Sequence, residues 1–233
     1  SALVCGAVGY VTSFLVLRGA DLTRLMVTLG VALIFQELAN RMAWLTGGAD
    51  GLQGVMPAKI LGLFDFDLYG RNAYLYSLTV LFVLFVIIRQ IMQSPYGVSL
   101  RAIKGNALRA AAVGIPVNRR LNAAYTLGAA YAGVAGALLA QTTAFVSLDV
   151  LDFHRSADVM LIVIFGGVGS LYGAVVGAAA FKVMYDVLAA ATPQYWQFWL
   201  GLVLVLLVLF VRGGVMGLAT GLYARLKRAG GGR

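Results

Sequence analysis

The sequence predicts an all-α fold, a polytopic transmembrane helix bundle, and three observations lead there. Of 233 residues, 61% are hydrophobic and only 12% charged, against about 45–50% and about 25% in an ordinary soluble chain. Mean hydropathy is +0.88. The few charges cluster in short stretches between long apolar runs. The same figures exclude a disordered chain, a collagen-like repeat, a coiled coil and a disulfide scaffold. With one cysteine, Cys5, no internal disulfide can close.

A helix rising about 1.5 Å per residue needs about 20 apolar residues to cross a hydrocarbon layer of about 30 Å. Residues 2–17 form a slightly short first run, with Arg18 able to snorkel to the interface. The second, 22–45, is interrupted by Gln36, Glu37, Asn40 and Arg41. A third covers 73–92 and a fourth, rich in Ala and Gly, 121–140. Residues 156–191 make a long run broken by glycine, and 196–211 the last. The chain opens on Ser1 inside an apolar run, without a starter Met or a basic leader, so it reads as the later part of a longer polypeptide.

The connecting segments separate by sign. Residues 89–120 hold Arg89, Arg101, Lys104, Arg109, Arg119 and Arg120 and no acid, and the tail after 211 holds only basic charges. The segments 47–72 and 142–158 carry Asp50, Asp65 and Asp67, and Asp149, Asp152 and Asp158. The positive-inside rule places the two basic segments in the cytoplasm and the acidic loops outside. The net charge of +9 is thus a topology signal, and nucleic acid is not an expected partner.

This orientation constrains 156–191. The preceding loop is outside and the last span must start outside, so the chain between leaves and returns on one face. A half-length apolar helix over 158–165, a Gly166-Gly167-Val168-Gly169-Ser170 turn and a helix over 171–191 satisfy that parity as a broken, re-entrant segment. Broken backbone at membrane depth survives only beside protein or a water-filled cavity, which places Gly166, Gly167, Gly169 and Ser170 at a pathway. In the alternative, Gly166, Gly167, Gly169, Gly173 and Gly177 are packing sites of an unbroken helix.

Residues 94–116 read as two short helices. Ser94 is a suitable N-cap with Pro95 at the first helical position, Asn106 can cap the second helix, and Gly114 supplies a left-handed end before Pro116. Leu100, Ile103, Ala107 and Ala111 are expected to form one apolar stripe, with Arg101, Lys104 and Arg109 off it. Such an element either lies on anionic headgroups of the lipid bilayer or fits a groove on a cytoplasmic partner.

Here the chain resembles the ABC-importer permeases, whose cytoplasmic coupling loop carries Ala-Ala, a Gly three residues on and an aliphatic residue. Ala110-Ala111 and Gly114-Ile115 fit that pattern, with Arg109 where an acid is usual. More specifically it is similar to the LivM-type permeases of branched-chain amino-acid importers. The likeness runs through Leu45-Thr46-Gly47-Gly48-Ala49-Asp50-Gly51-Leu52, the 94–116 segment and Gly166-Gly167-Val168-Gly169-Ser170-Leu171-Tyr172-Gly173. The resemblance implies further spans ahead of Ser1. It also implies a second permease subunit, two cytoplasmic ATP-binding subunits and a periplasmic substrate-binding protein. Arg101, Ala102, Ile103, Asn106, Ala110, Ala111, Gly114 and Ile115 would couple this chain to the ATPases. The chain would hold no cofactor, the ATP being bound by its partners, and it carries no G-x-x-x-x-G-K-[ST] loop.

The remaining polar groups each have two readings. Glu37, an acid well inside an apolar run, either lines the pathway or pairs with Arg41 one turn on. Gly47, Gly48, Asp50 and Gly51 either offer amides to a substrate carboxylate or the docking binding protein, or form a tight turn. His154 is the sole histidine, too few ligands for a metal site, and reads as an exposed loop residue. Lys182 and Asp186 read as a salt bridge, and Tyr195, Trp196 and Trp199 as an interfacial aromatic belt. The expected function is a non-catalytic permease subunit in a bacterial inner membrane, its C-terminus cytoplasmic, moving branched-chain or other small hydrophobic amino acids. Related permeases carry urea, short amides or aromatic acids. An ion-coupled secondary transporter would need more buried carboxylates than Glu37, and an intramembrane enzyme would need an acid–base or metal set at membrane depth.

Overall fold

The computed structural model describes residues 1–17, 21–48, 51–53, 71–191, 195–210 and 217. Arg18, Asp50, Asp65, Asp67 and the basic residues after 211 lie outside the described residues. The chain divides into two compact units, Ser1–Leu151 and Asp152–Arg233.

In the first unit, α1 (Ala2–Val16) packs along α7 (Val117–Thr143). Cys5, Gly9 and Ser13 recur every fourth residue, on one face of α1, and Ser13 is fully buried. A Cβ on Gly9 would run into Ala129, one on Gly6 would touch Ala130, and one on Gly133 would collide with Cys5. Rising numbers on α1 meet falling numbers on α7, so the two helices are antiparallel. Small residues at fourfold spacing let backbones approach closely, which is how helices associate where lipid removes the hydrophobic drive.

The expected run 22–45 is not one helix. α2 (Asp21–Arg41) stops, and a single turn, α3 (Ala43–Thr46), follows. The Thr46 hydroxyl donates to the carbonyls of Ala39 at 2.6 Å and Met42 at 3.1 Å, and Gly47 closes the turn with a left-handed φ of 75°. α4 (Arg71–Gln93) leads into α5 (Pro95–Gly105) and α6 (Ala107–Ala112), and then α7. The Tyr131 hydroxyl donates to the Leu84 carbonyl at 3.2 Å and ties α7 to α4. A two-residue ladder pairs β1 (Leu52–Gln53) antiparallel to β2 (Phe145–Val146), with Leu52 opposite Val146. A 3₁₀ turn over Leu148–Leu151 then lies against α2.

The second unit holds α8 (Phe153–Gly166), α9 (Leu171–Ala191) and α10 (Trp196–Phe210). Phe165, Phe181 and Leu200, one from each helix, form its buried core, the two phenylalanine rings edge-to-face at 6.3 Å.

Among the described residues, four helices are long and apolar enough to cross a membrane: Leu22–Arg41, Asn72–Gln93, Val117–Thr143 and Leu171–Ala190. Their large apolar side chains face outward, as with Leu25, Met26, Leu33 and Ile34 of α2. So continuous an apolar exterior suits lipid as the surrounding solvent and not water. The protein is a multi-pass, all-α membrane protein.

Candidate functional site: a docked helical elbow, a polar cleft and a glycine turn

The basic segment forms an elbow beneath α4 and α7. Gly97 makes the bend possible, because a Cβ there would collide with the Met92 backbone. Arg101 Nη2 donates to the Met92 carbonyl at 2.7 Å, capping the end of α4 with a cation, which also suits the negative end of the helix dipole. The Tyr96 hydroxyl donates to the Arg120 carbonyl at 3.0 Å, and the Arg120 guanidinium lies 5.3 Å from the centre of the Tyr96 ring. Burial pushes the Tyr96 phenol up from its ordinary pKa, with Arg120 opposing it. The elbow is therefore fastened to α4 through Arg101 and to α7 through Tyr96.

Asn106 does double duty, ending α5 and capping α6, where its side-chain oxygen accepts from the Arg109 amide at 3.0 Å. α6 ends in a Schellman arrangement: Ile115 N–H donates to the Ala110 carbonyl at 3.1 Å and Gly114 N–H to that of Ala111 at 2.9 Å. Gly114 holds a φ of 90°, with open space where a Cβ would stand. Ser94 occupies the N-cap position of α5, but its hydroxyl donates backwards to the Ile91 carbonyl at 2.6 Å and makes no cap bond.

The expected stripe is corrected. Ile103 is buried and Leu100 half-buried, yet Ala107 and Ala111 face outward and Ala110 faces in. The extended backbone at Asn106 (φ −163°, ψ 109°) resets the helical phase, so one periodicity does not run through both helices. Leu108, 84% exposed, and Val113, 82% exposed, were hidden by that assumption. Together with Ala107, Ala111 and Ala112 they give α6 an apolar outer face, flanked by the exposed Arg109 and Gly114. Arg101 and Ala102 are exposed on α5.

Glu37 stands on α2, its Oε1 2.8 Å from Arg41 Nε, and both side chains are exposed. With Leu33, Gln36, Asn40 and Leu148 it lines a cleft of about 480 Å³ between α2 and the 3₁₀ turn. Glu37 is thus paired with Arg41, the second of its two readings, and it also borders this recess. The neighbouring glycine loop is a turn. Gly47 N–H donates to the Ala43 carbonyl, Gly51 N–H to the Gly48 carbonyl, and Gly48 N–H to the Thr46 hydroxyl. Amides already bonded within the turn do not suit a substrate carboxylate, which corrects that expectation for Gly47, Gly48 and Gly51; Asp50 lies outside the described residues.

In the second unit the chain breaks after Gly166. Gly167 and Gly169 take φ of 105° and 119°, which only glycine adopts readily, and Ser170 accepts from the Gly173 amide at 3.0 Å to start α9. Gly166, Gly173 and Gly177 interlock, since a Cβ on any of the three would strike one of the others. The 14 residues of α8 rise about 21 Å, too short for a full crossing. α8 begins at Phe153, ahead of the expected 158, so His154 lies in its first turn and not in a loop; it is exposed. Among the described residues no cluster of His, Cys, Asp or Glu could hold a metal. Lys182 Nζ sits 2.9 Å from Asp186 Oδ1.

The family model described as the permease component of branched-chain amino acid transport systems matches residues 1–228. The high-affinity branched-chain amino acid transport system permease protein LivM of Salmonella typhimurium is 28% identical over 93% of this chain and 56% of its own length. LivM of Escherichia coli gives the same identity and coverage. The L-arabinose ABC transporter permease protein AraH of Azospirillum brasilense is 27% identical over 89% of this chain and 61% of its own length. The chain thus spans little more than half the length of the curated relatives it matches. No solved structure matches it.

Proposed function

The chain belongs to the family of permease components of branched-chain amino acid transport systems, and on that premise we propose that it is a membrane subunit of an ABC importer for branched-chain or other small hydrophobic amino acids. Alternating access is driven by ATP hydrolysis on partner subunits, and this chain is itself non-catalytic and without a cofactor. Its partners are a second permease subunit, two cytoplasmic ATP-binding subunits and a periplasmic substrate-binding protein. The complex sits in a bacterial inner membrane with the basic segment and the C-terminus in the cytoplasm. The observation that carries the reading is the family match over 1–228.

The elbow supplies the coupling step. A push on the outer face of α6, at Ala107, Leu108, Ala111 and Val113, passes through Ala110 and Ile103 into the packed side of the elbow. From there Arg101 transmits it to α4 and Tyr96 to α7. Gly114 and Ile115 fix the end of α6 through their backbone bonds, and Asn106 fixes its start. The polar cleft at Glu37 and the turn at Gly166, Gly167, Gly169 and Ser170 belong to the pathway. The α8–α9 turn dips into the membrane and returns as a re-entrant pair. The Gly47–Gly51 turn, with Asp50, contacts the binding protein.

The test is ATP hydrolysis by the reconstituted importer in the presence of loaded binding protein. Gly114→Arg leaves the subunit inserted and abolishes the stimulation. Leu108→Asp, at an exposed position free of backbone strain, does the same. Normal stimulation in both variants would reject the coupling assignment. Because one relative is an L-arabinose permease, a ligand screen of the accompanying binding protein fixes the solute class: an aliphatic amino acid is expected, and binding of a sugar alone rejects it.

A further inference from the structure

The first unit contains a second cleft, separate from the polar recess at Glu37 and bordered on one side by Ser94 and Tyr96 of the elbow. It encloses about 680 Å³ where α1, the α4–α5 junction and the start of α7 meet. One wall is apolar, made by Tyr10 and Phe14, whose rings stand edge-to-face at 5.0 Å, with Ile91 and Leu127. The other wall carries Arg119 and Asn122, one turn apart at the beginning of α7. Arg119 is exposed and its side chain, among the described residues, has no ion pair or hydrogen bond. The whole segment 89–120 contains no acid that could neutralise it. Its neighbour Arg120 is engaged on the Tyr96 ring.

We propose that this cleft holds one anionic phospholipid of the leaflet next to the basic segment. An acyl chain lies against Phe14, Ile91 and Leu127, and the phosphate meets Arg119 and the Asn122 amide. The chemistry of the two walls selects that occupant. A free inorganic anion would leave the aromatic wall unmatched, and a purely apolar helix would bury Arg119 beside no counter-charge, which is unfavourable. A zwitterionic headgroup brings its own cation, which adds nothing at a site that already has an unpaired one. Basic recesses between membrane helices favour acidic headgroups for these reasons, and a guanidinium binds phosphate through two parallel hydrogen bonds. The inference rests on the membrane reading only in that α4 and α7 cross the bilayer beside the 94–116 elbow.

Native mass spectrometry of the intact importer, purified from bilayers containing equal phosphatidylglycerol and phosphatidylcholine, tests it. The wild type retains phosphatidylglycerol in preference, and Arg119→Gln lowers that preference about fivefold, the effect of one basic group at a headgroup. Arg119→Lys keeps most of it. Arg89→Gln, removing an exposed charge outside the cleft, leaves it unchanged. An equal loss in Arg89→Gln and Arg119→Gln would mean a diffuse surface effect and would overturn the site. So would full thermal stabilisation of the delipidated complex by inorganic phosphate alone, or a cross-link from residue 14 to a companion chain with no lipid retained. Absence of any lipid preference in the wild type, with ATP-driven uptake intact, sinks only this inference, whereas recovery of the subunit without ATPases sinks the importer.

Discussion

Glycine does different work in the elbow and in the α8–α9 turn. At Gly114 what matters is the sign of φ: the residue stands in open space, and its freedom lets α6 end with Ala110 and Ala111 carbonyls satisfied. At Gly166, Gly173 and Gly177 what matters is volume, because two helix backbones occupy the space that side chains would need. Substitution at the first kind of site strains one residue, whereas at the second it forces two helices apart. The elbow thus keeps its shape while its outer face, with Leu108 and Val113, stays exposed. The α8–α9 pair is built for contact so close that neither helix can separate without losing its packing.

The largest effect is expected where volume is at stake. Gly177→Val drives a branched side chain into the Gly166 backbone and costs about 3 kcal/mol; the detergent-solubilised protein should lose its monodisperse size-exclusion peak. Gly201→Ala, on α10 with nothing near its Cβ, is the matched control and should behave as wild type. If both variants remain monodisperse and equally heat-stable, the interlock is not a structural requirement.

Gly114→Val should cost less, about 1–2 kcal/mol, since only the left-handed backbone resists it. Gly114→Asn should recover part of that, because asparagine tolerates positive φ. Equal melting temperatures for the Val and Asn variants would refute the conformational account. Asn106→Ala removes the bond to the Arg109 amide and should cost about 1 kcal/mol. Faster hydrogen exchange is expected at residues 109 and 110, with the spans unaffected.

The smallest change is Tyr96→Phe, which leaves the Arg120 carbonyl without its 3.0 Å donor, at a cost of about 1 kcal/mol or less. A pH arm sharpens it. Because the folded Tyr96 pKa is raised, the folded state holds the phenolic proton more tightly than the unfolded chain. That stabilisation is complete below the unfolded pKa and is lost as pH rises above it through the folded value. Wild-type stability should therefore fall more steeply on the alkaline side than that of Tyr96→Phe, and parallel profiles would argue against burial of the phenol.

Much of the elbow was readable in the chain itself. Pro95, Asn106, Gly114 and Pro116 are local signals, and each acts within one turn of its own position, so the breaks stand where the residues put them. The phase across Asn106 was not readable, because periodicity assumes a continuous helix, and the exposure of Leu108 and Val113 depends on that phase. Tyr96 and Arg120 gave no sign in sequence; 24 residues separate the two ends of their bond. The end of α2 at Arg41 is not legible in sequence for a similar reason, since hydropathy continues to 45 while the Thr46 hydroxyl takes the carbonyls of Ala39 and Met42.

The sequence by itself determined that this is a helical membrane protein, how its charges segregate by sign along the chain, and where glycine or proline interrupts a helix. Those properties follow from apolar length, charge sign and local backbone preference. Only the tertiary structure decided which glycines are needed for volume and which for φ, that the amides of Gly47, Gly48 and Gly51 are already engaged, and which arginine caps a helix while the side chain of another has no partner among the described residues. The reason is physical: solvent transfer and φ/ψ preference belong to single residues and their neighbours, whereas excluded volume and hydrogen-bond satisfaction depend on what else arrives at the same place.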